Sequence, residues 1–285
     1  MPIALPLLGG FAVGLVFRAQ LQRHFARFFR LHFAFGVGTL AVIAGWGFHA
    51  DVGAVAALGL LLVAQVTSLT VGGRLFRHDR EGAVMAFGVL GNPTFWSVPI
   101  VAATVGADAA LVLAAYDMLT MPRIALGVRL LRGRAPVSPS RRTALTDYAP
   151  MAGAVVGLLL GRVVPAPAIV PDVVAGLGLF LAVTGAVLVG AAWPHGRWFG
   201  RAELRGAARA LALHLSLVPA AIGVAALAGL AIPAGMWVLV LGPFPISTLS
   251  FARLYGYSDR HAATGLAVSV IAALALLPLA LALGS

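Results

Sequence analysis

Residues 89–99 read Val-Leu-Gly-Asn-Pro-Thr-Phe-Trp-Ser-Val-Pro, and residues 240–248 read Val-Leu-Gly-Pro-Phe-Pro-Ile-Ser-Thr. Each stretch lies inside a long apolar run and sets helix breakers in its middle. Proline removes a backbone donor and its ring collides with the preceding turn, which frees carbonyl groups. At membrane depth such groups are tolerated only where protein or a watery cavity covers them. Two doubled-proline breaks at matching places in two halves of a chain point to a midplane binding site between discontinuous helices.

The surrounding composition supplies the membrane. The 285 residues are 61% hydrophobic and 10% charged, with a mean hydropathy of +0.99. A soluble domain carries about 25% charged residues, so a soluble enzyme or a DNA-binding module is excluded. The fold class expected is an all-α polytopic membrane protein. Apolar runs over 2–17, 31–50, 52–73, 82–106, 108–131, 148–164, 171–193, 207–230, 234–255 and 261–283 give ten candidate transmembrane helices. They are continuously apolar rather than alternating, which favours helices over a barrel. The first run lacks a basic leader and a small-residue cleavage site, so it is expected to be a retained span rather than a signal peptide.

All 20 basic residues are arginine, and against nine acids they give a formal charge of +11. They stand in short clusters between apolar runs: Arg18, Arg23, Arg27 and Arg30; Arg74, Arg77 and Arg80; Arg129, Arg132, Arg134, Arg141 and Arg142; Arg197, Arg201, Arg205 and Arg209; Arg253 and Arg260. With ten spans these clusters share one side. By the positive-inside rule that side is cytoplasmic, and both termini lie outside a cell membrane. The charge therefore reads as topology and contact with anionic lipid, with no nucleic-acid partner.

The chain also repeats itself. Gly10 and Gly14 in the first run match Gly153 and Gly157 in the sixth, and the Val-Leu-Gly before each break recurs 151 positions on. Five spans per unit make the units enter the membrane from opposite sides. The expected organisation is therefore two inverted five-helix repeats, 1–131 and 148–285, joined by a cytoplasmic linker at 132–147, with broken crossover helices 4 and 9. Arg162, the outward exception to the charge rule, would be the inverted counterpart of Arg18.

The candidate substrate-binding residues lie in the two breaks: Asn92, Pro93, Thr94 and Ser97 in the fourth span, and Pro243, Pro245, Ser247 and Thr248 in the ninth. Opposed half-helix N-termini would offer partial positive charge and free N–H groups to an anion. Asn92, the only asparagine, is able to cap the half-helix or to contact the ligand. Asp117 is the one acid deep in a span, and a membrane-buried acid reads first as a coupling or polar transport residue. Arg123 is six residues on, a different face of a straight helix, and is expected to snorkel outward rather than to pair with it. Gln65, Thr67 and Ser68 form a polar patch in the third span that either faces the same cavity or bonds between helices. His49 and His214 stand alone and read as packing histidines. No metal-ligand spacing, phosphate loop or catalytic constellation is present, and the absence of cysteine excludes thiolate chemistry. The chain is accordingly expected to be no enzyme, and no metal or other cofactor is implied.

Around spans four and nine the sequence resembles the auxin efflux carrier family, which includes bacterial permeases. The family pattern Gly-Asn-x-Gly-Phe-x-Gly-x-Pro is matched at Gly91, Asn92, Phe95 and Pro99, while Thr94 and Ser97 replace the inner glycines. In span nine Pro243, Ala252, Tyr255 and Gly256 match, and Ser247 stands where the family has asparagine. The resemblance implies a secondary transporter moving a small organic anion such as a carboxylate by alternating access. Spans 3–5 and 8–10 would form the moving unit, and spans 1, 2, 6 and 7 a scaffold with a homodimer surface. The alternatives are a sodium- or proton-coupled carrier of the same fold, akin to bile-acid symporters or cation/proton antiporters, and a transport-dead membrane receptor.

Overall fold

A computed structural model describes residues 4–49, 52–91, 94–136, 148–193 and 199–284. Among the described residues there are helices and connecting turns, and no strand. In chain order the helices are α1 Ala4–Val16, α2 Arg18–Arg23, α3 Phe25–Gly47, α4 Val52–Leu75, α5 Gly82–Gly88, α6 Thr94–Thr104, α7 Ala107–Leu119 and α8 Pro122–Gly133. They continue with α9 Ala149–Val163, α10 Val170–Ala192, α11 Arg201–Leu227, α12 Met236–Val240, α13 Ser247–Leu254 and α14 Asp259–Gly284.

Five of these, α3, α4, α10, α11 and α14, are long and apolar enough to cross a membrane, and α7 with α8 makes a sixth when counted as one bent span. The chain is a multi-pass membrane protein. Helices α3 and α11 each begin six residues before the apolar runs that predicted them, because arginines continue the helix into the interfacial region where their stems snorkel. The predicted linker 132–147 starts inside α8, which runs on to Gly133, and its residues 137–147 lie outside the described ones.

Two glycine-lined seams hold the outer helices. In the first, α1 packs on α10, and a Cβ on Gly10 or Gly14 would collide with the carbonyls of Val183 and Val187. In the second, α9 packs on α3, and a Cβ on Gly153 or Gly157 would collide with the carbonyls of Gly38 and Val42. Small residues let membrane helices approach backbone to backbone, and van der Waals contact rather than water release drives that packing.

The interior belongs to the short helices. All seven residues of α5 are buried, as are Ser247 to Ala252 of α13 and most of α12. The interrupted helices are crossed, with α6 touching α12 and α13 touching α5. At the arginine-rich end, three connections lock onto one another. The Tyr257 hydroxyl donates to the Leu131 carbonyl at 2.6 Å, Arg132 Nε donates to the Tyr255 hydroxyl at 3.1 Å, and the Ser258 N–H donates to Glu81 Oε2 at 3.0 Å. Burial, helped by Glu81, holds the Tyr257 phenol up at about 12, so it keeps the proton it donates.

Candidate functional site

The first break follows α5. Residues 89 and 90 turn out of the helix, Gly91 takes φ +64°, and helix resumes at Thr94. The glycine is required twice, because a side chain there would be strained in the left-handed region and its Cβ would sit 2.8 Å from Cε1 of His214. Asn92 and Pro93 lie outside the described residues. Pro99, expected within the break, stands instead inside α6. It lies past the four N–H groups that a helix start leaves unpaired, so its missing N–H takes the i+4 donor away from the Phe95 carbonyl.

The second break follows α12 and spans residues 241–246, with Pro243 and Pro245 inside it and Ser247 opening α13. Backbone groups freed here find side-chain partners. The Phe244 N–H donates to Ser269 Oγ of α14 at 3.0 Å, and the Phe244 ring packs on Gly88 and Gly265. The breaks are adjacent. Ser97 Oγ donates to the Val238 carbonyl at 3.1 Å, which joins α6 to α12, and Trp96 packs over Gly242. Ser97 thus serves as a tie between the two interrupted helices.

His214, read from sequence as a packing residue, lies between both breaks. Its Nδ1 is 2.9 Å from the Val89 carbonyl and its Nε2 is 2.9 Å from the Gly242 carbonyl. The ring is buried and meets Phe244 edge-on at 5.8 Å.

The two breaks open onto a tight cleft against α3 and α10. Phe95 comes from the first, Ile246 and Ser247 from the second, and His32, Gly185 and Ser250 complete much of the wall. His32 sits in a π-helical turn, Leu31–Val37, of α3. Such turns re-aim side chains and recur at functional sites. Its ring stacks on Phe95 at 5.5 Å, and Nδ1 lies 3.1 Å from Thr184 Oγ1 on α10. The Thr184 hydroxyl also has the Phe180 carbonyl within 3.0 Å as an acceptor. When the hydroxyl donates there, His32 donates to it from Nδ1, and Nε2 stays available near Gly185 in the cleft wall. The cleft leaves about 10 Å³ open to the centre of a water molecule, which holds about one water. Sequence reading passed over His32, although a histidine inside an apolar run was a signal it could have used.

Thr248 is buried beside Ser247, and its hydroxyl has no hydrogen-bond partner among the described residues; the same holds for Gln65 Oε1 and Ser68 Oγ on α4. Thr67, expected to join Gln65 and Ser68 in one patch, is exposed on the opposite side of α4. A straight helix turns about 100° per residue, which separates position 67 from 65 and 68.

The expectation that Arg123 stays apart from Asp117 is corrected. Arg123 Nη2 donates to Asp117 Oδ1, Nη1 donates to Thr120 Oγ1 at 2.8 Å, and both side chains are fully buried. The cause is the 43° bend between α7 and α8. Pro122 cannot donate into the preceding turn, the helix restarts there, and Arg123 folds back over the bend onto the carboxylate. Asp117 is therefore one member of a buried ion pair that braces a kink.

No family model matches this sequence, and no curated protein sequence matches it either.

Proposed function

We propose that the chain is a secondary transporter that moves a small organic anion by alternating access, with its site where the two breaks meet the cleft against α3 and α10. The observation that carries this reading is the adjacency of two interrupted helices inside a multi-pass membrane protein, tied through Ser97 to Val238. Irregular backbone at that depth has to line protein or a cavity, and here it lines both. The site residues proposed are Ser247, Thr248 and His32, with Asn92, Pro93, Thr94, Pro243 and Pro245 shaping the breaks.

Inverted five-span repeats are part of the same proposal. Gly10 and Gly14 meet Val183 and Val187, while their sequence counterparts Gly153 and Gly157 meet Gly38 and Val42. Each seam thus joins a helix of one proposed half to a helix of the other in the same register. Ten spans with outward termini, on a plan that resembles the auxin efflux carrier family, belong to the same proposal.

An anionic substrate is favoured by the arginines that line two other recesses of the protein. One recess of about 510 Å³ presents Arg23, Arg27, Arg30 and Arg253. A second groove, about 650 Å³ and lined by His49 and Arg162, opens between α4 and α9. A carboxylate settling in either recess would meet arginine, and charge of one sign in a recess raises the local concentration of its counter-ion.

Purified protein in liposomes, assayed for counterflow with a panel of radiolabelled mono- and dicarboxylates, tests the reading. Saturable exchange of at least one, weakened in Ser247→Ala and His32→Gln, is the expected result. Carboxylate binding without exchange identifies a receptor instead. Single cysteines at Arg80 and Ala168, introduced into this cysteine-free chain, should label from opposite membrane faces.

A further inference from the structure

We infer that His214 is a proton-binding site that clasps the two helix breaks together, and, resting on the carrier reading above, that it is the residue through which a proton is coupled to transport. The geometry is a matter of donors and acceptors. Both ring nitrogens face carbonyl oxygens at 2.9 Å, Val89 on the first break and Gly242 on the second. A carbonyl only accepts. A neutral imidazole has one N–H to give and one lone pair, so it satisfies one carbonyl and sets lone pair against lone pair at the other. Only the imidazolium donates to both.

The consequence is a linkage between one proton and one distance. With the proton bound, His214 joins the end of α5 to the end of α12 by two charge-assisted hydrogen bonds, stronger than bonds between neutral groups. When the ring releases that proton to water, one bond disappears and the break it held is free to move away. A buried carbonyl left facing a lone pair is costly, so the deprotonated ring favours separation of the breaks. The proton is taken up again from water when they close. Gly91 makes the contact sensitive, since there is no space between its Cα and the ring for a methyl group.

Among the described residues, no other titratable group faces the ring. The residues facing it are Val89 and Gly91 from the first break and Gly242 and Phe244 from the second. The ionisable groups of the helices packed on α11 stand towards their arginine-rich ends. They are Arg74 in the last turn of α4, Glu81 before α5, and Asp259, Arg260 and His261 in the first turn of α14. On α11 itself Arg201, Glu203, Arg205 and Arg209 all precede His214 by more than a turn. The ion pair of Asp117 with Arg123 is engaged at its own bend, and His32 lies in the cleft against Phe95 and Thr184, so among the described residues His214 is the titratable group bonded to both breaks.

The test is a titration of the whole chain in lipid nanodiscs with ¹⁵N-labelled histidine. The His214 resonances are assigned by their loss in His214→Gln and, should that variant fail to fold, by their displacement in Phe244→Leu, which removes the ring that meets the imidazole edge-on. The expected result is a ring carrying protons on both nitrogens at the acid end of the range from about pH 5 to 8 and a single tautomer at the alkaline end. In liposomes, exchange of the same carboxylate panel should depend on pH in the wild type, and His214→Gln should lose that dependence. A ring that stays neutral, or stays doubly protonated, throughout the titration overturns the clasp. A clear titration accompanied by no carboxylate exchange leaves the clasp standing and sinks the carrier reading alone.

Discussion

The glycine seams and the interrupted helices are held by opposite means. In the seams, α1 on α10 and α9 on α3, backbones touch along whole faces and no side chain is needed between them. Around the breaks and the α7–α8 bend, backbone contact is interrupted, and single side chains replace it: Ser97, His214, Ser269 and Arg123. A close-packed seam is stiff, because any displacement costs many small contacts at once. A junction held by two or three hydrogen bonds changes state when one of them changes. The seams are thus suited to be the frame, and the interrupted helices the part that moves.

Substitutions test that division, and the largest loss is expected at the bend. Arg123→Gln leaves the Asp117 carboxylate buried without its cation, which costs about 3–5 kcal/mol. Thermal unfolding in detergent should show it, and Asp117→Asn in the same chain should recover much of the loss. A stable Arg123→Gln protein would mean that the kink is braced by packing alone.

In the seams, Gly14→Ala and Gly157→Ala should each cost about 1–3 kcal/mol by overpacking, whereas Gly9→Ala, with open space around it, should cost nothing measurable. Similar losses at positions 14 and 157 sharpen the pairing of the two seams. A large difference between them breaks it.

Ser97→Ala removes one hydrogen bond between helices, worth about 0.6 kcal/mol in membranes. Its expected signature is therefore in exchange kinetics rather than stability, since the bond ties α6 to α12. Thr67→Val, on the exposed face of α4, should fall within about 0.5 kcal/mol of wild type and serves as the baseline for the series.

Much of this was legible along the chain. The apolar runs matched the helix limits to within a turn except at α3 and α11, where arginine-bearing turns extend them, and at α2, which falls between two runs. The prolines marked both interruptions, because a missing N–H is a local fact. The pairing of Asp117 with Arg123 was misread because six residues place two side chains on different faces only when the helix is straight. Residue spacing carries no information about a bend whose angle is set by what packs around Pro122.

By itself the sequence determined that this is a helical, multi-pass membrane protein interrupted at two places, since composition, run length and proline act on the chain wherever it lies. Tertiary structure alone decided which residues those interruptions meet. His32 reaches the cleft through a π turn and a stack on Phe95, and His214 reaches the carbonyls of Val89 and Gly242 across 125 and 28 positions of sequence. The physical reason is that a freed carbonyl specifies only that some donor must come. Which helix delivers the donor is settled by packing among neighbours remote in the chain.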